Sequence, residues 1–166
     1  MREVVAHESV PPTVRTAAGP ATELDLTGDV AHPARLTVPD LHAWPQHAAQ
    51  VAFECNTSGS RQHRFTGPLL LDVLMDAGPA FDPARRKDRL RFLVAVRGAD
   101  GHRALLSWAE IDPDFGRAPV LPAATFDDTP LDRAGAQLVV PQDRCGARYI
   151  SGIEAIRVDG GYAAWP

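Results

Sequence analysis

Cysteine is nearly absent from this chain. Its 166 residues contain two, Cys55 and Cys145, too few for the disulfide framework that holds a small secreted domain together. Each is read as a free thiol or as a thiol with a chemical task. No apolar run approaches the roughly 20 residues needed to cross a bilayer. The first residues, Met1-Arg2-Glu3-Val4-Val5-Ala6-His7-Glu8, place acids where a secretory signal needs an unbroken apolar stretch. The expectation is a cytoplasmic protein with no membrane partner. Basic runs are scarce too: 17 Lys and Arg stand against 21 Asp and Glu, for a net charge of −4. The densest basic cluster, residues 85–91, reads as a solvated connection leading into a strand. Nucleic acid is therefore not an expected partner.

The common signatures of cofactor enzymes and hydrolases are also missing. There is no GxGxxG after a strand, no Walker loop, no HExxH, no GxSxG and no CxxC. His42 and His47 straddle Pro45 and do not project from one helical face, so a zinc site is not expected. A Cys-His protease built on Cys55 with His63 or His102 lacks a recognisable orienting residue and oxyanion hole. What is present is an ordinary globular balance, 45% hydrophobic and 23% charged. A chain of this size can bury about two thirds of its surface in one core.

Residues 1–22, with Pro11, Pro12, Gly19 and Pro20, read as an irregular arm. The folded domain is expected over 23–159, and 160–166 as a tail. Leu24-Asp25-Leu26 alternates like a strand that Gly28 ends. Thr37-Val38-Pro39-Asp40-Leu41 opens a short helix that Pro45 stops. From Gln50 the period becomes two, and Val51, Phe53 and Cys55 share one face. Residues 56–60 are a turn cluster, and His63 to Thr66 a returning strand. Gly67-Pro68 then opens a helix whose buried face is Leu69, Leu70, Val73, Leu74 and Ala77, with Gly78 as its stop. Residues 91–97 and 102–106 around Asp100-Gly101 make a hairpin. Ser107-Trp108-Ala109-Glu110 is a capping box. Further strands are expected over 120–126, 136–140 and 153–158, with 127–130 as a turn. Short helices irregularly placed among more numerous strands predict an α+β domain with mixed, mainly antiparallel sheets.

The order of these segments carries a resemblance. A strand ending in Cys55 is followed by Phe65-Thr66-Gly67-Pro68-Leu69-Leu70-Leu71-Asp72-Val73-Leu74. Next come the Asp-Gly hairpin, Leu106-Ser107-Trp108-Ala109-Glu110-Ile111 and Leu138-Val139-Val140-Pro141, and then Gly146-Ala147-Arg148-Tyr149-Ile150. From Leu24 to Val158 the chain resembles the oxidoreductase molybdopterin-binding domain of the sulfite oxidase family. The resemblance implies that fold, and a molybdenum–molybdopterin cofactor whose protein ligand is the Cys55 thiolate. A soft anionic sulfur suits such a metal, and Arg61, His63 and Arg64 would favour its ionised form. Arg148 is the position implied for the cofactor's phosphate, where a planar fork binds bidentately. Asn56, Ser58 and Ser151 fall at the remaining cofactor-facing positions. Asn56 to Ser60 stands where sulfite oxidases typically have a Gly-Asn-Arg-Arg-like run, and Ser151-Gly152 where they tend to have a lysine and a tryptophan.

The leading expectation is therefore a molybdenum–pterin oxidoreductase that transfers an oxygen atom to or from a small molecule, or reduces one. Its catalytic candidates are Cys55, His63 and Tyr149, and its redox partner is unspecified. One alternative is a cofactor-free enzyme on the same scaffold, using His63, Asp143 and Tyr149 for acid/base or cyclisation chemistry. The other is a non-catalytic binding module that uses the arm and the tail.

Overall fold

The computed structural model describes residues 21–55 and 59–161, and the side chains within them except those of residues 53–60. The arm read over 1–22 and the tail read over 160–166 thus lie almost wholly outside the described residues, as do Asn56 and Ser58.

Strands β1 (Glu23–Gly28), β2 (Ala34–Thr37), β5 (Leu93–Gly98), β6 (Arg103–Ser107) and β11 (Ile153–Asp159) form one sheet in the order β2-β1-β11-β5-β6. β1 runs parallel to β11, with Leu26 beside Ile156, and every other pairing in the sheet is antiparallel. Alternation sends Leu24, Leu26, Val94, Val96, Ala104, Leu106, Ile156 and Val158 into the core, all buried. Gly28 is required where β1 meets β11. Its φ is +98°, and a Cβ there would lie 2.0 Å from the Val158 carbonyl oxygen.

The second sheet is built on the long hairpin of β3 (Gln46–Cys55) and β4 (Gly59–Pro68), continued by β8 (Thr125–Phe126) and β9 (Thr129–Pro130). A third pairing joins β7 (Leu121–Ala123) to β10 (Gln137–Val139). The single strand expected over 120–126 is therefore two, in different sheets. The switch falls at Ala124, whose N–H donates to the Thr66 carbonyl at 2.8 Å. Gly67 lets β7 cross there, because a Cβ at that position would meet Pro122 O at 2.5 Å.

Gly67-Pro68 closes β4 instead of opening the helix. Helix α1 is Leu70–Asp76, with Leu70, Val73 and Leu74 buried. Its first N–H donates to Val120 O at 2.8 Å, which replaces a side-chain cap. Gly78 follows with φ +68°, as expected of a helix stop. The capping box is present at α2 (Trp108–Ile111), where Glu110 Oε2 accepts from Ser107 N at 2.8 Å. The short helix at Pro39–Ala43 is a 3-10 turn. Strand β2 has no counterpart in the sequence reading, since four half-exposed residues after Pro33 show too little alternation. Among the described residues no helix is long and apolar enough to cross a membrane.

Candidate functional site

The register of the β3–β4 hairpin decides which candidate residues stand together. Residues directly opposite across antiparallel strands share a face, and neighbours along a strand alternate. Val51 pairs with His63, Phe53 with Arg61 and Cys55 with Gly59, so positions 51, 53, 55, 61 and 63 form one face. Arg64 pairs with Gln50 and belongs to the other face. Position 55 is the last residue of β3, as the period-two pattern predicts.

His63 is the best-held of the candidates. Its Nδ1 lies 2.8 Å from Asp127 Oδ2, while Asp127 Oδ1 accepts the Arg64 backbone N–H at 2.8 Å. That N–H, followed by the His63 contact, holds the Asp127 carboxyl below its ordinary range. An ionised Asp127 is an acceptor only, so the proton of the neutral imidazole sits on Nδ1 and Nε2 is the basic nitrogen. Phe126 packs on the His63 ring at 4.9 Å between centroids, and Phe65 on Phe126 at 5.0 Å. Tyr149 meets Phe65 edge-on at 6.3 Å. This aromatic row ties Tyr149, 8% exposed, to the half-buried His63. Burial, and then the charge of Asp143, pushes the Tyr149 hydroxyl up.

Asp127 makes a side-chain contact with His63 where the sequence marks only a turn. Asp127 and Asp128 adopt φ of +46° and +61°, the left-handed pair of a two-residue hairpin between β8 and β9. Non-glycine residues in that region are held there by surrounding contacts. The aspartate-rich turn at 127–130 is the one available signal, but its alignment with His63 depends on β8 pairing with β4.

Arg148 departs from the free fork expected of a phosphate anchor. Its Nε and Nη2 donate to Asp143 at 2.8 and 2.6 Å, and Nη1 donates to Glu110 Oε1 at 3.0 Å. The Asp143 bonds raise its pKa further, and Arg148 in turn holds the Asp143 carboxyl down. The physical reason is the capping box: Glu110 commits one carboxylate oxygen to Ser107 and turns the other toward Arg148. Ser151 is exposed, and its carbonyl lies beside Gly98 in the five-stranded sheet. The candidates thus fall into two groups, Arg61 and His63 on the hairpin and Arg148 and Ser151 near β5 and β6, with Tyr149 reaching from the second toward the first. Arg61 and Arg64 are exposed, and Arg64 is 4.0 Å from Asp128.

The model of the family described as "Oxidoreductase molybdopterin binding domain" matches residues 7–158. The match begins inside the stretch read as an arm. No curated protein matches. Among solved structures, the sulfane dehydrogenase SoxCD from Paracoccus pantotrophus superposes with a TM-score of 0.63 at 20% identity, over 83% of this chain and 38% of that one. That likeness establishes the fold expected from the sequence. The chain spans well under half the length of the dehydrogenase chain it matches. With nearly all of its ordered strands inside the matched interval, the chain belongs to the oxidoreductase molybdopterin-binding domain family.

Proposed function

We propose that this domain is a molybdenum–pterin oxidoreductase acting on a small molecule, with Cys55 as the protein's sulfur ligand and His63 as the proton-exchanging group. The observation that carries the reading is the β3–β4 register, which puts position 55 on the same face as Arg61 and His63. The donor types suit such a group: a thiol that ionises to a soft sulfur, with a guanidinium and an imidazole on its face. Among the described residues no three His, Cys, Asp or Glu side chains gather as an all-protein metal site requires; the proposed attachment needs a single sulfur. Bound there, the cofactor would supply two-electron redox chemistry coupled to oxygen-atom transfer.

The chain's own residues then have distinct tasks. Arg61 is exposed and draws an anionic substrate toward the face. Asp127 fixes the His63 tautomer, so Nε2 takes a proton from substrate or water and returns it. Phe126 packs against one side of the imidazole and limits its motion. Tyr149, buried against Phe65, is a positioning residue. Arg148 holds the 143–149 segment against α2 through Asp143 and Glu110.

The test is elemental analysis and the visible spectrum of protein produced in a host that makes the cofactor. Stoichiometric molybdenum in the wild type, lost in Cys55→Ala with the unfolding midpoint little changed, is the expected result. Wild-type protein without molybdenum, or a Cys55→Ala variant that keeps its full complement, would overturn it. One observation favours a second reading, cofactor-free acid/base chemistry: the carboxylates of Asp143 and Glu110 already engage Arg148. A metal-free wild type that retains the His63–Asp127 pair would move the assignment there.

A further inference from the structure

The five-stranded sheet gives one face to the core and leaves the other open. Read through the pairings, its outward residues form two rows. The first is Asp25, Ala155, Arg97 and Arg103; the second is Thr27, Arg157, Ala95 and Leu105. All of them but Asp25 line a depression of about 490 Å³. Its floor is apolar, made by Ala95, Ala155 and Leu105, and Leu105 is 59% exposed despite its size. Its frame is cationic: among the described residues the carboxylates beside it, Asp25, Glu154 and Asp159, stand outside the lining and engage Arg35, Arg97 and Arg157.

The placement of these arginines needs an explanation. Arg97 and Arg103 stand directly opposite each other on β5 and β6, an arrangement of like charges that destabilises a sheet. Arg157 lies diagonally across β11. Glu154 and Asp159 touch Arg97 and Arg157 at 3.2 and 3.8 Å, which leaves each guanidinium with further donors. Arg103 is exposed and has no ion pair among the described residues. Two strand spacings, about 10 Å, separate β11 from β6, and the volume falls in the range of small-molecule sites. An anion bridging the arginines would cancel the repulsion that the fold otherwise carries.

We infer that this depression binds a small organic anion with two acidic groups on an apolar body, the acids meeting Arg103 with Arg97 at one end and Arg157 at the other. None of its lining residues belongs to β3 or β4, and Leu105 meets the Arg148 network only through its backbone carbonyl, which accepts from Arg148 Nη1 at 3.3 Å, so the side chains that would hold the anion are separate from those of the oxidoreductase reading. The compactness of the frame favours a small molecule over an acidic stretch of another protein.

Calorimetric titration with isophthalate tests it, with benzoate and the neutral isophthalamide as comparisons. The expected result is saturable binding of isophthalate that weakens about tenfold in Arg103→Gln and in Arg157→Gln, and is unchanged in Arg133→Gln, an exposed arginine elsewhere. Benzoate should bind about tenfold more weakly and isophthalamide not at all. A thermal scan without ligand should show Arg103→Gln at or above the wild-type midpoint, because the substitution removes a like-charge contact. Absence of saturable binding, equal binding by Arg103→Gln, or a lowered midpoint in that variant would overturn the inference. Equal weakening by Arg133→Gln would do so too, since it would show attraction to net charge alone.

Discussion

Asp112 and Asp127 each join a backbone N–H to side-chain donors and sit in opposite surroundings. Asp112 accepts from Arg89 Nη1, Trp108 Nε1 and Asp114 N, each at 2.9 Å, and is 2% exposed. Asp127 accepts from Arg64 N and His63 Nδ1, both at 2.8 Å, with its side chain 46% exposed. Around Asp112 the wall is closed, because Phe81 packs edge-on to Trp108 at 5.1 Å and Arg89 lies over Phe81 at 5.4 Å. The partners differ in kind as well. Arg89 and Trp108 are donors only, whereas an imidazole can donate or accept. Comparable contacts therefore fix the fold where the surroundings are dry and orient an imidazole where they are wet.

The largest effect should come from breaking the dry member. Asp112→Ala leaves the Arg89 charge and the Trp108 N–H without their acceptor, and the expected loss in urea unfolding is about 3–5 kcal/mol. Its pH dependence has a definite sign. Burial pushes the Asp112 carboxyl up, but the bonds from Arg89, the Asp114 N–H and Trp108 outweigh it and leave it below its ordinary value. The folded chain thus holds the ionised form to lower pH than the unfolded chain does. The stabilisation is whole above the usual carboxylate range near pH 4 and fades as pH falls through the depressed value. The gap between wild type and Asp112→Ala should narrow accordingly in acid. A gap that stays constant down to the acid transition would mean that Asp112 acts by packing alone, and the contrast with Asp127 would fail.

Breaking the wet member should leave stability nearly untouched and alter the ring instead. In Asp127→Asn the amide offers Nδ1 either an acceptor or a donor, so the His63 tautomer is no longer dictated. Nitrogen-15 spectra should show Nδ1-protonated imidazole in the wild type and a mixture in the variant. On the proposed function, turnover by the cofactor-loaded protein should fall, while the urea midpoint moves little. A variant that unfolds as readily as Asp112→Ala, with an unchanged tautomer, would make Asp127 a structural residue.

The two aspartates also mark how far the sequence could be read. Near Asp112 part of the arrangement is local: Ser107 and Glu110 spell a capping box, and the helix it starts delivers Trp108 and Asp112 one turn apart, while Arg89 arrives from a distant segment. The β5–β6 hairpin and the placing of position 55 at a strand end follow from alternation in the same way. Contacts that depend on distant pairing leave no such trace. Leu26 beside Ile156 in parallel register, the change of sheet at Ala124, and Asp127 beneath His63 are all set by how separate segments pack. Arg148 is intermediate, since family resemblance singles it out but only the folded chain shows Asp143 and Glu110 filling its fork.

The smallest expected effect sharpens the comparison from the backbone side. Asp127 and Asp128 both occupy the left-handed region, which costs an L-residue free energy that glycine does not incur. At 127 the carboxylate is needed to hold His63, so the cost is tied to the site. At 128 the side chain is 82% exposed and only 4.0 Å from Arg64, a contact worth little in water. Asp128→Gly should therefore raise stability by about 0.5–1 kcal/mol and leave the His63 tautomer as it is, whereas Asp128→Val should lower stability and perturb the ring. Paired urea unfolding and imidazole spectra of the two variants provide the check. If the glycine variant were less stable than wild type, the turn would be held by the Arg64–Asp128 charges and not by its backbone. Asp127 would then owe its position to an ion pair as Asp112 does, and the distinction between the two anchors would reduce to burial alone.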